Sequence, residues 1–300
     1  MKDVCVLTEM RYLNPRKRSN YIQNIINEEG LICQALENLN LSCERQAWDK
    51  PFNISNYRFI LFRTTWNYFD NLNLFKSFLN HAMKKTNLIN PYNQLIWNLD
   101  KQYLLHFKNG GINIPDTIII KCGQFKSLSS ICAAKNWQEI VIKPCVSAAA
   151  WNTHRITIEE LVNYEGLFFD LVKKQNMIVQ EFQENIIKTG EVSVIMLDGE
   201  CSHAVIKFAK DGDFRVQDDY GGTYKKHFLS RDEISFCNRV MLAYPFSPVY
   251  ARIDLILDNK NTLALSEIEV IEPELWLRME VGSADKLALA IKKHLVKTSN

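Results

Sequence analysis

Residues 250–277, YARIDLILDNKNTLALSEIEVIEPELWL, have the pattern of two β-strands joined by a polar turn, and this segment decides the fold of the chain. Side chains two apart on a strand share one face, so Arg252 and Asp254 point to one side of the first strand. Glu267 and Glu269 likewise share one face of the second strand. Pairing the two strands predicts three carboxylates and one guanidinium on one face of one hairpin.

The spacing of this charged face permits two interpretations. Carboxylate oxygens are hard ligands that suit Mg²⁺, with substrate phosphates completing the coordination shell. A solvated face with a few cross-strand ion pairs has the same pattern. Both interpretations are compatible with an opposite face that is apolar at Ile253, Leu255, Ile268 and Val270. If Leu257 pairs with Thr262 across the turn, Arg252 lies opposite Glu267.

The first third of the chain alternates strand and helix patterns. The sequence predicts a short buried strand at 3–8, a second strand at 41–46 and a strong third strand at 57–63. Helical spacing of apolar residues predicts helices over 20–39 and around 71–84. Strands and helices at these intervals are typical of a parallel α/β sheet. We therefore expect a small N-terminal α/β domain over residues 1–95.

From residue 96 onward the chain is rich in strands with an antiparallel pattern. Strands are predicted at 114–120, 139–143, 177–181, 191–197, 201–208, 250–257 and 262–271. An amphipathic helix is predicted to open near Asn98, and a last helix covers 283–296. The fold class is α/β with an α+β C-terminal part, and we divide residues 96–300 into subdomains 96–175 and 176–300.

Charge and composition exclude several classes of protein. Thirty-six basic and 34 acidic side chains give a net charge of +2, which argues against nucleic acid as a partner. No run approaches 18 apolar residues, so no membrane span is predicted. The eight cysteines are dispersed without a CxxC pair, which indicates free thiols in a reducing compartment. We expect a cytoplasmic protein.

Two lysines are candidates for binding phosphate. Lys143 closes a β-branched strand and is followed by a loop of small residues, Ser147 and three alanines. A lysine in this place can act as a point charge on a phosphate. Lys101, which opens the helical pattern DKQYLLHF, can supply a second cation. The alternative for either lysine is a solvated surface position.

Two further segments have both a functional and a structural interpretation. In FRVQDDYGGT, residues 214–223, Gly221 and Gly222 permit backbone conformations that turn N–H groups towards an anion; the alternative is a plain hairpin turn. The strand that ends in Gln180, Glu181 and Phe182 can offer backbone groups to a purine edge. The alternative there is an ordinary strand end.

Taken in order, these features resemble the ATP-grasp superfamily of ATP-dependent carboxylate ligases. The likeness is closest to the glutathione synthetase and RimK-type ligases, and most narrowly to the cycloserine-pathway O-ureido-serine cyclo-ligase group. It is carried by RTTWNYFD at 63–70, INPYNQLIWNLDKQYL at 89–104, KPCVSAAAWNT at 143–153, FRVQDDYGG at 214–222, GECSHAVIKF at 199–208 and EIEVIEPEL at 267–275. The resemblance implies an ATP-grasp fold preceded by a small parallel-sheet α/β domain.

The resemblance also implies a nucleotide and metal site. Residues implied in ATP binding are Lys101, Lys143, Ser147, Glu181, Phe182, Glu191, Gly221 and Gly222. Residues implied in binding Mg²⁺, or Mn²⁺ in its place, are Asp254, Glu267 and Glu269. The chain departs from the usual pattern at Glu269, where related ligases have asparagine, at Gln217, and in the glycine-poor loop 147–150.

Catalytic and substrate residues follow from the same resemblance. Arg252 is implied to face the γ-phosphate, and Arg215, with Lys207 nearby, to hold the acyl-phosphate or the substrate carboxylate. Candidate substrate contacts follow the strand at 57–63, because α/β sheets bind ligands at the carboxyl ends of their strands: Arg63, Trp66, Asn67 and Tyr68. Packing between domains is the alternative for Trp66 and Tyr68.

The expected activity is an ADP-forming carboxylate–amine ligase that acts through an acyl-phosphate on a small amino-acid-like substrate. A peptide- or protein-modifying ligase and a non-catalytic ATP-binding protein are the alternatives. The resemblance is also compatible with a homodimer.

Overall fold

The computed structural model describes residues 1–147, 150–216 and 220–299. Its first unit contains β1 (Lys2–Thr8), α1 (Met10–Leu13), α2 (Asn20–Asn38), β2 (Cys43–Ala47), β3 (Tyr57–Thr64), α3 (Leu72–Ala82) and β4 (Asn87–Ile89), with 3₁₀ turns at Ile54–Asn56 and Trp66–Asn71. The four strands form a parallel sheet in the order β2–β1–β3–β4. Strands buried on both faces read as continuous apolar runs, which is why the parallel sheet was predictable.

Two short helices lead out of this sheet, α4 (Tyr92–Asn98) and α5 (Tyr103–Asn109). The prediction that a helix opens near Asn98 is wrong, because α4 ends at Asn98 and α5 begins only at Tyr103. The backbone N–H of Lys101 donates to the carbonyl of Cys145 at 2.8 Å. Because this bond leaves the helical segment, Lys101 is not part of a continuous helix. This break fixes Lys101 next to the strand that carries Lys143.

The second sheet is antiparallel. Its elements are β5 (Thr117–Ile120), α6 (Leu128–Lys135), β6 (Glu139–Pro144), β7 (His154–Thr157), α7 (Leu161–Val172) and β8 (Met177–Glu181). The strand order is β5–β8–β6–β7. One face packs on α6 and α7 through residues such as Ile131, Ile142 and Phe168, which leaves the other face for the site described below.

The third sheet is also antiparallel and has the order β11–β10–β9–β12–β13. Its elements are α8 (Asn185–Thr189), β9 (Glu191–Leu197), β10 (Glu200–Phe208), β11 (Thr223–His227), α9 (Arg231–Ala243), β12 (Tyr250–Leu257) and β13 (Leu263–Glu269). After a 3₁₀ turn at Leu277–Met279, α10 (Ser283–Ser299) returns to the first sheet. There Leu287 and Ile291 share a core with Val4 and Phe59. No described helix has both the length and the apolar character needed to cross a membrane.

The register of the β12–β13 hairpin differs from the predicted one. Leu257 pairs with Leu263 rather than Thr262, and the pairing then skips Ser266, so that Arg252 lies opposite Glu269. The turn is longer because the Asp258 carboxylate accepts backbone N–H bonds at 2.8 and 2.9 Å. The turn and the bulge each shift the register by one residue. Since side chains repeat every two residues, the charged groups still share one face.

Candidate active site

A cavity of about 470 Å³ between the sheets collects most of the predicted site residues. The predicted residues that line it are Trp66, Tyr68, Lys101, Lys143, Ser147, Glu181, Phe182, Glu191, Lys207, Arg215, Arg252, Asp254, Glu267 and Glu269. Arg63, Asn67, Gly221 and Gly222 are not among its lining residues. Residues from the two antiparallel sheets and from the connection after β3 therefore meet in one place.

The charged face of the β12–β13 hairpin forms one wall of the cavity. Arg252 donates to both carboxylate oxygens of Asp254, at 2.9 Å from Nε and 2.8 Å from Nη2, and also to Glu269. The Ser193 hydroxyl donates to Asp254 at 2.5 Å. Asp254 is only 2% exposed, so the solvated-face interpretation is wrong. Cross-strand ion pairs are present, but they face the cavity.

These charges shift one another's pKa values. Burial opposes the charge of Arg252, but Asp254 and Glu269 outweigh burial and hold its pKa well above the ordinary value. Burial favours the neutral form of Asp254, yet Arg252 and Lys207 lower its pKa to about 2. Burial raises the pKa of Glu269 to about 7 against the attraction of Arg252, and the neighbouring Glu267 adds to the rise. At neutral pH Asp254 is ionised, whereas Glu269 lies near its midpoint.

Lys101 and Lys207 extend the network of ion pairs. Lys101 Nζ donates to the carbonyl of Ser147 at 2.6 Å and lies 3.1 Å from a carboxylate oxygen of Glu267. Lys207 Nζ lies 2.5 Å from a carboxylate oxygen of Glu191. Burial opposes both charges, but the carboxylates raise the pKa of each lysine. Both side chains are therefore held as cations beside the hairpin.

The side chain of Lys143 differs from those of Lys101 and Lys207 in its contacts. It stands near the end of β6 and lines the cavity, yet its Nζ atom has no hydrogen bond or ion pair with any residue of 1–147, 150–216 or 220–299. Burial lowers its pKa. We call the set formed by these groups the paired-charge end of the cavity: Lys101, Lys143, Lys207, Arg252, Glu191, Asp254, Glu267 and Glu269.

The predicted nucleotide-edge residues line the cavity, but their backbone groups are already bonded. The N–H of Glu181 donates to Asp116 O at 3.1 Å, and the N–H of Phe182 donates to Glu139 O at 2.9 Å. The carbonyl of Phe182 accepts from Asn259 at 2.9 Å. A purine at this edge would therefore have to displace one of these bonds or use the next residue, Gln183, which also lines the cavity.

The segment around the two glycines is only partly in the site. Arg215 lines the cavity, makes a bidentate ion pair with Asp213 (Nη2–Oδ2 2.7 Å), and lies 3.6 Å from the ring centroid of Tyr220. Gly221 has the positive φ, +81°, that favours glycine. It nevertheless packs against Lys210 rather than lining the cavity. Gln217 lies outside the described residues, as do Ala148 and Ala149 of the predicted phosphate loop.

Comparison with known families decides the family of this chain. Residues 4–90 match the family described as the N-terminal domain of D-cycloserine synthetase DcsG. Residues 100–278, more than half of the chain, match the ATP-grasp domain of prokaryotic glutathione synthetase. The chain belongs to the glutathione synthetase-type ATP-grasp ligases. It is an ATP-dependent enzyme that forms C–N bonds.

Individual relatives agree with this assignment. The cycloserine biosynthesis protein DcsG of Streptomyces lavendulae is 24% identical over 281 residues, which cover 88% of this ligase and 92% of that protein. The crystal structure of D-cycloserine synthetase DcsG matches with a TM-score of 0.84 at 21% identity, over 97% of this chain and 99% of that one. D-Alanine–D-alanine ligase from Bacillus anthracis matches with a TM-score of 0.67 at 13% identity, over 99% and 98% of the two chains. The predicted ATP-grasp fold is confirmed.

Two of the four predicted substrate residues of this ligase do not line the cavity. The buried Arg63 donates to the carbonyl of Pro273 at 2.6 Å and packs over the ring of Tyr250. Asn67 accepts from Trp48 Nε1 at 2.7 Å and donates to Asp49 at 3.1 Å. Both side chains make contacts within the fold and neither lines the cavity, so their predicted contact with substrate stays a prediction.

Trp66 and Tyr68 line the cavity as predicted, next to groups that the sequence analysis missed. Trp66 Nε1 donates to the backbone carbonyl of Glu272 at 3.0 Å, and its ring centroid lies 6.2 Å from that of Tyr21. Glu272 and Tyr21 also line the cavity. We call Tyr21, Trp66, Tyr68 and Glu272 the aromatic end of the cavity. Glu272 lies in the quoted segment EIEVIEPEL, but beyond the end of β13, where strand alternation no longer predicts direction.

Proposed function

We propose that this ligase activates a small carboxylate with ATP, releases ADP and joins the acyl group to an amine nitrogen. The observation that carries the proposal is Lys143, a cation without a partner among the described residues, beside a wall of ion pairs. Phosphate oxygens suit such a group, because a lysine ammonium offers three donors and a compact charge.

When ATP binds, the cations of the paired-charge end can exchange their carboxylate partners for phosphate oxygens. Arg252 and Lys101 now neutralise Asp254, Glu269 and Glu267. Phosphate oxygens of ATP offer the two cations a new anion. The freed carboxylate oxygens then need a cation in return, since an unpaired buried carboxylate is costly.

Mg²⁺ fits the freed carboxylates. Asp254, Glu267 and Glu269 supply only hard oxygen donors from one hairpin face, and magnesium is usually held by one or two carboxylates together with substrate phosphates. Mn²⁺ accepts the same donors. When bound, the ion neutralises charge that develops on the phosphates. Glu269, with its pKa raised to about 7, would lose its proton as the ion binds.

The remaining residues have positioning roles in this proposal. The substrate carboxylate attacks the γ-phosphorus, which gives an acyl-phosphate and ADP, and the nitrogen nucleophile then displaces inorganic phosphate. Arg252, Lys207 and Arg215 stabilise the negative charge on the transferred group. Positioning and electrostatic stabilisation account for most of phosphoryl-transfer catalysis.

The substrate is proposed to be a small amino-acid-like molecule, and the DcsG relative makes ring closure within one molecule the first case to test. The experiment incubates the protein with Mg²⁺-ATP and pools of amino acids and their ureido, hydroxy and dipeptide derivatives. ADP and phosphate released with one pool only would support the proposal. AMP and pyrophosphate would contradict it.

A variant tests the metal role separately. Glu267→Gln keeps the size of the side chain but removes one charge from the metal-binding face, so we expect ADP release to fall by about 10²–10³-fold. Thermal melting of the variant controls for folding. Undiminished ADP release would exclude Glu267 as a metal ligand.

A further inference from the structure

Glu272 is a buried acid without a cation partner among the described residues. It is 6% exposed, lines the cavity, and its Oε2 atom is buried without a hydrogen-bond partner in the described part of the chain. The buried carboxylates at the other end each have a cation: Asp254 has Arg252, and Glu191 has Lys207. A buried carboxylate that lacks such a partner is costly to the fold.

Nearby cations of the protein are already engaged. Lys101 is bonded to Ser147 and Glu267. Arg11, which also lines the cavity, forms an ion pair with Glu9. None of these cations is paired with Glu272, so its unpartnered Oε2 atom in the cavity lining is available to a group that arrives from outside the chain.

Aromatic rings define what that group can be. Trp66 is anchored by its bond to the Glu272 carbonyl, and Tyr68 is held by stacking on Phe75 with ring centroids 4.8 Å apart. Tyr21 lies beside Trp66. Ring faces attract cations, and they do so more strongly where water is excluded. A carboxylate among rings suits a compact cation with N–H donors.

We infer that Glu272 binds the ammonium group of the amino-acid-like substrate, with Trp66, Tyr68 and Tyr21 around it. The inference rests on the proposed function and names its substrate class. An ammonium has no lone pair and cannot attack an acyl-phosphate, so the bound nitrogen is a recognition group. The substrate is therefore an amino acid that keeps its ammonium, while a different nitrogen forms the new bond.

The first test uses the unmodified protein with matched compounds. Alanine, serine and O-ureido-serine, as both enantiomers, are compared with their des-amino counterparts for ADP release and for thermal shift with Mg²⁺ and a non-hydrolysable ATP analogue. We expect only the compounds that carry the amino group to bind and react. Equal binding or turnover of a des-amino counterpart would overturn the inference and leave the ligase activity intact.

The second test compares two variants. Glu272→Gln is expected to raise KM for the reactive amino member by at least about tenfold, since bonds to charged groups contribute about 1.5–3 kcal/mol, with a smaller change in kcat and unchanged affinity for MgATP. Glu274→Gln is the matched control. Glu274 lines the same cavity but is paired with Arg278 at 2.8 Å, so we expect a much smaller rise in KM.

The outcomes separate the two proposals. An equal rise in KM in both variants, or none in Glu272→Gln, would overturn the role of Glu272. If no compound releases ADP, the proposed function fails, and the ammonium site is then judged by thermal shift alone. Loss of the amino-member shift in Glu272→Gln would support the site, and its persistence, or the absence of any shift in the unmodified protein, would reject it.

Discussion

The two ends of the cavity treat buried charge in opposite ways. At the paired-charge end, Arg252, Lys101 and Lys207 each have a carboxylate partner, whereas Lys143 has none in the part of the chain that the structure describes. At the aromatic end, Glu272 has no cation partner among the same residues. The difference teaches that each end is complementary to a different ligand charge: an added anion at the first end and an added cation at the second.

The largest effect on this comparison is expected from Lys143→Gln. The change removes the one cation of the paired-charge end that has no described partner, so the Kd for MgATP should rise at least about tenfold. Because burial already lowers the pKa of Lys143, loss of its charge should not destabilise the fold. Calorimetric titration with MgATP and thermal melting measure the two quantities.

Lys135→Gln is the control for this change. Lys135 forms a partly exposed ion pair with Asp116 at 2.7 Å outside the cavity, and such pairs contribute little. The Kd for MgATP should stay within about twofold of the unmodified value. If Lys143→Gln bound MgATP as tightly as the control, the phosphate role of Lys143 would be wrong.

The next largest effect is a pH dependence of the free energy of unfolding that is caused by Glu272. Burial, with the neighbouring Glu269, raises the pKa of Glu272 from an ordinary 4.5 to about 8. The folded protein therefore holds this proton more tightly than the unfolded chain, and the free energy of unfolding falls as the pH rises from about 4.5 towards about 8. Without a substrate cation, ionisation of Glu272 weakens the fold.

The variant Glu272→Gln should remove this fall in the free energy of unfolding. In metal-free buffer without substrate, the melting temperature of the variant should exceed that of the unmodified protein by a margin that grows between pH 5 and pH 8. A difference of about 1 kcal/mol or more, or a few degrees, is expected. Titrating groups that do not interact with Glu272 cancel in the difference. Two parallel curves would show that Glu272 is not a buried, unpaired acid.

The sequence predicted the face of the hairpin but not its register. Strand alternation fixes which side Arg252 and Glu269 share, whatever the pairing. The register depends on the long turn at Asp258 and on the skipped Ser266, and both depend on local hydrogen bonds that alternation does not encode. Short strands such as Thr223–His227, TYKKH, were missed because pairing with β10, rather than an apolar pattern, makes them strands.

The residues of the two ends were predictable to different degrees. Apart from Lys101, the paired-charge end lies on regular strands, so motif order and alternation brought its members together. The aromatic end lies on a 3₁₀ turn, on the first turn of α2 and on the segment after β13, where side-chain direction follows from tertiary packing. That is why the sequence grouped Arg63 and Asn67, which do not line the cavity, with Trp66, and why Glu272 was missed.

The smallest effect is expected from Asn67→Ala, which separates packing from binding at the aromatic end. The change removes the bonds from Asn67 to Trp48 and Asp49, so the free energy of unfolding should fall by about 1–2 kcal/mol. Since Asn67 does not line the cavity, KM for the substrate should change less than about twofold. Denaturant unfolding and steady-state kinetics measure the two effects. A large rise in KM without loss of stability would return Asn67 to the substrate site and shift the boundary of the aromatic end.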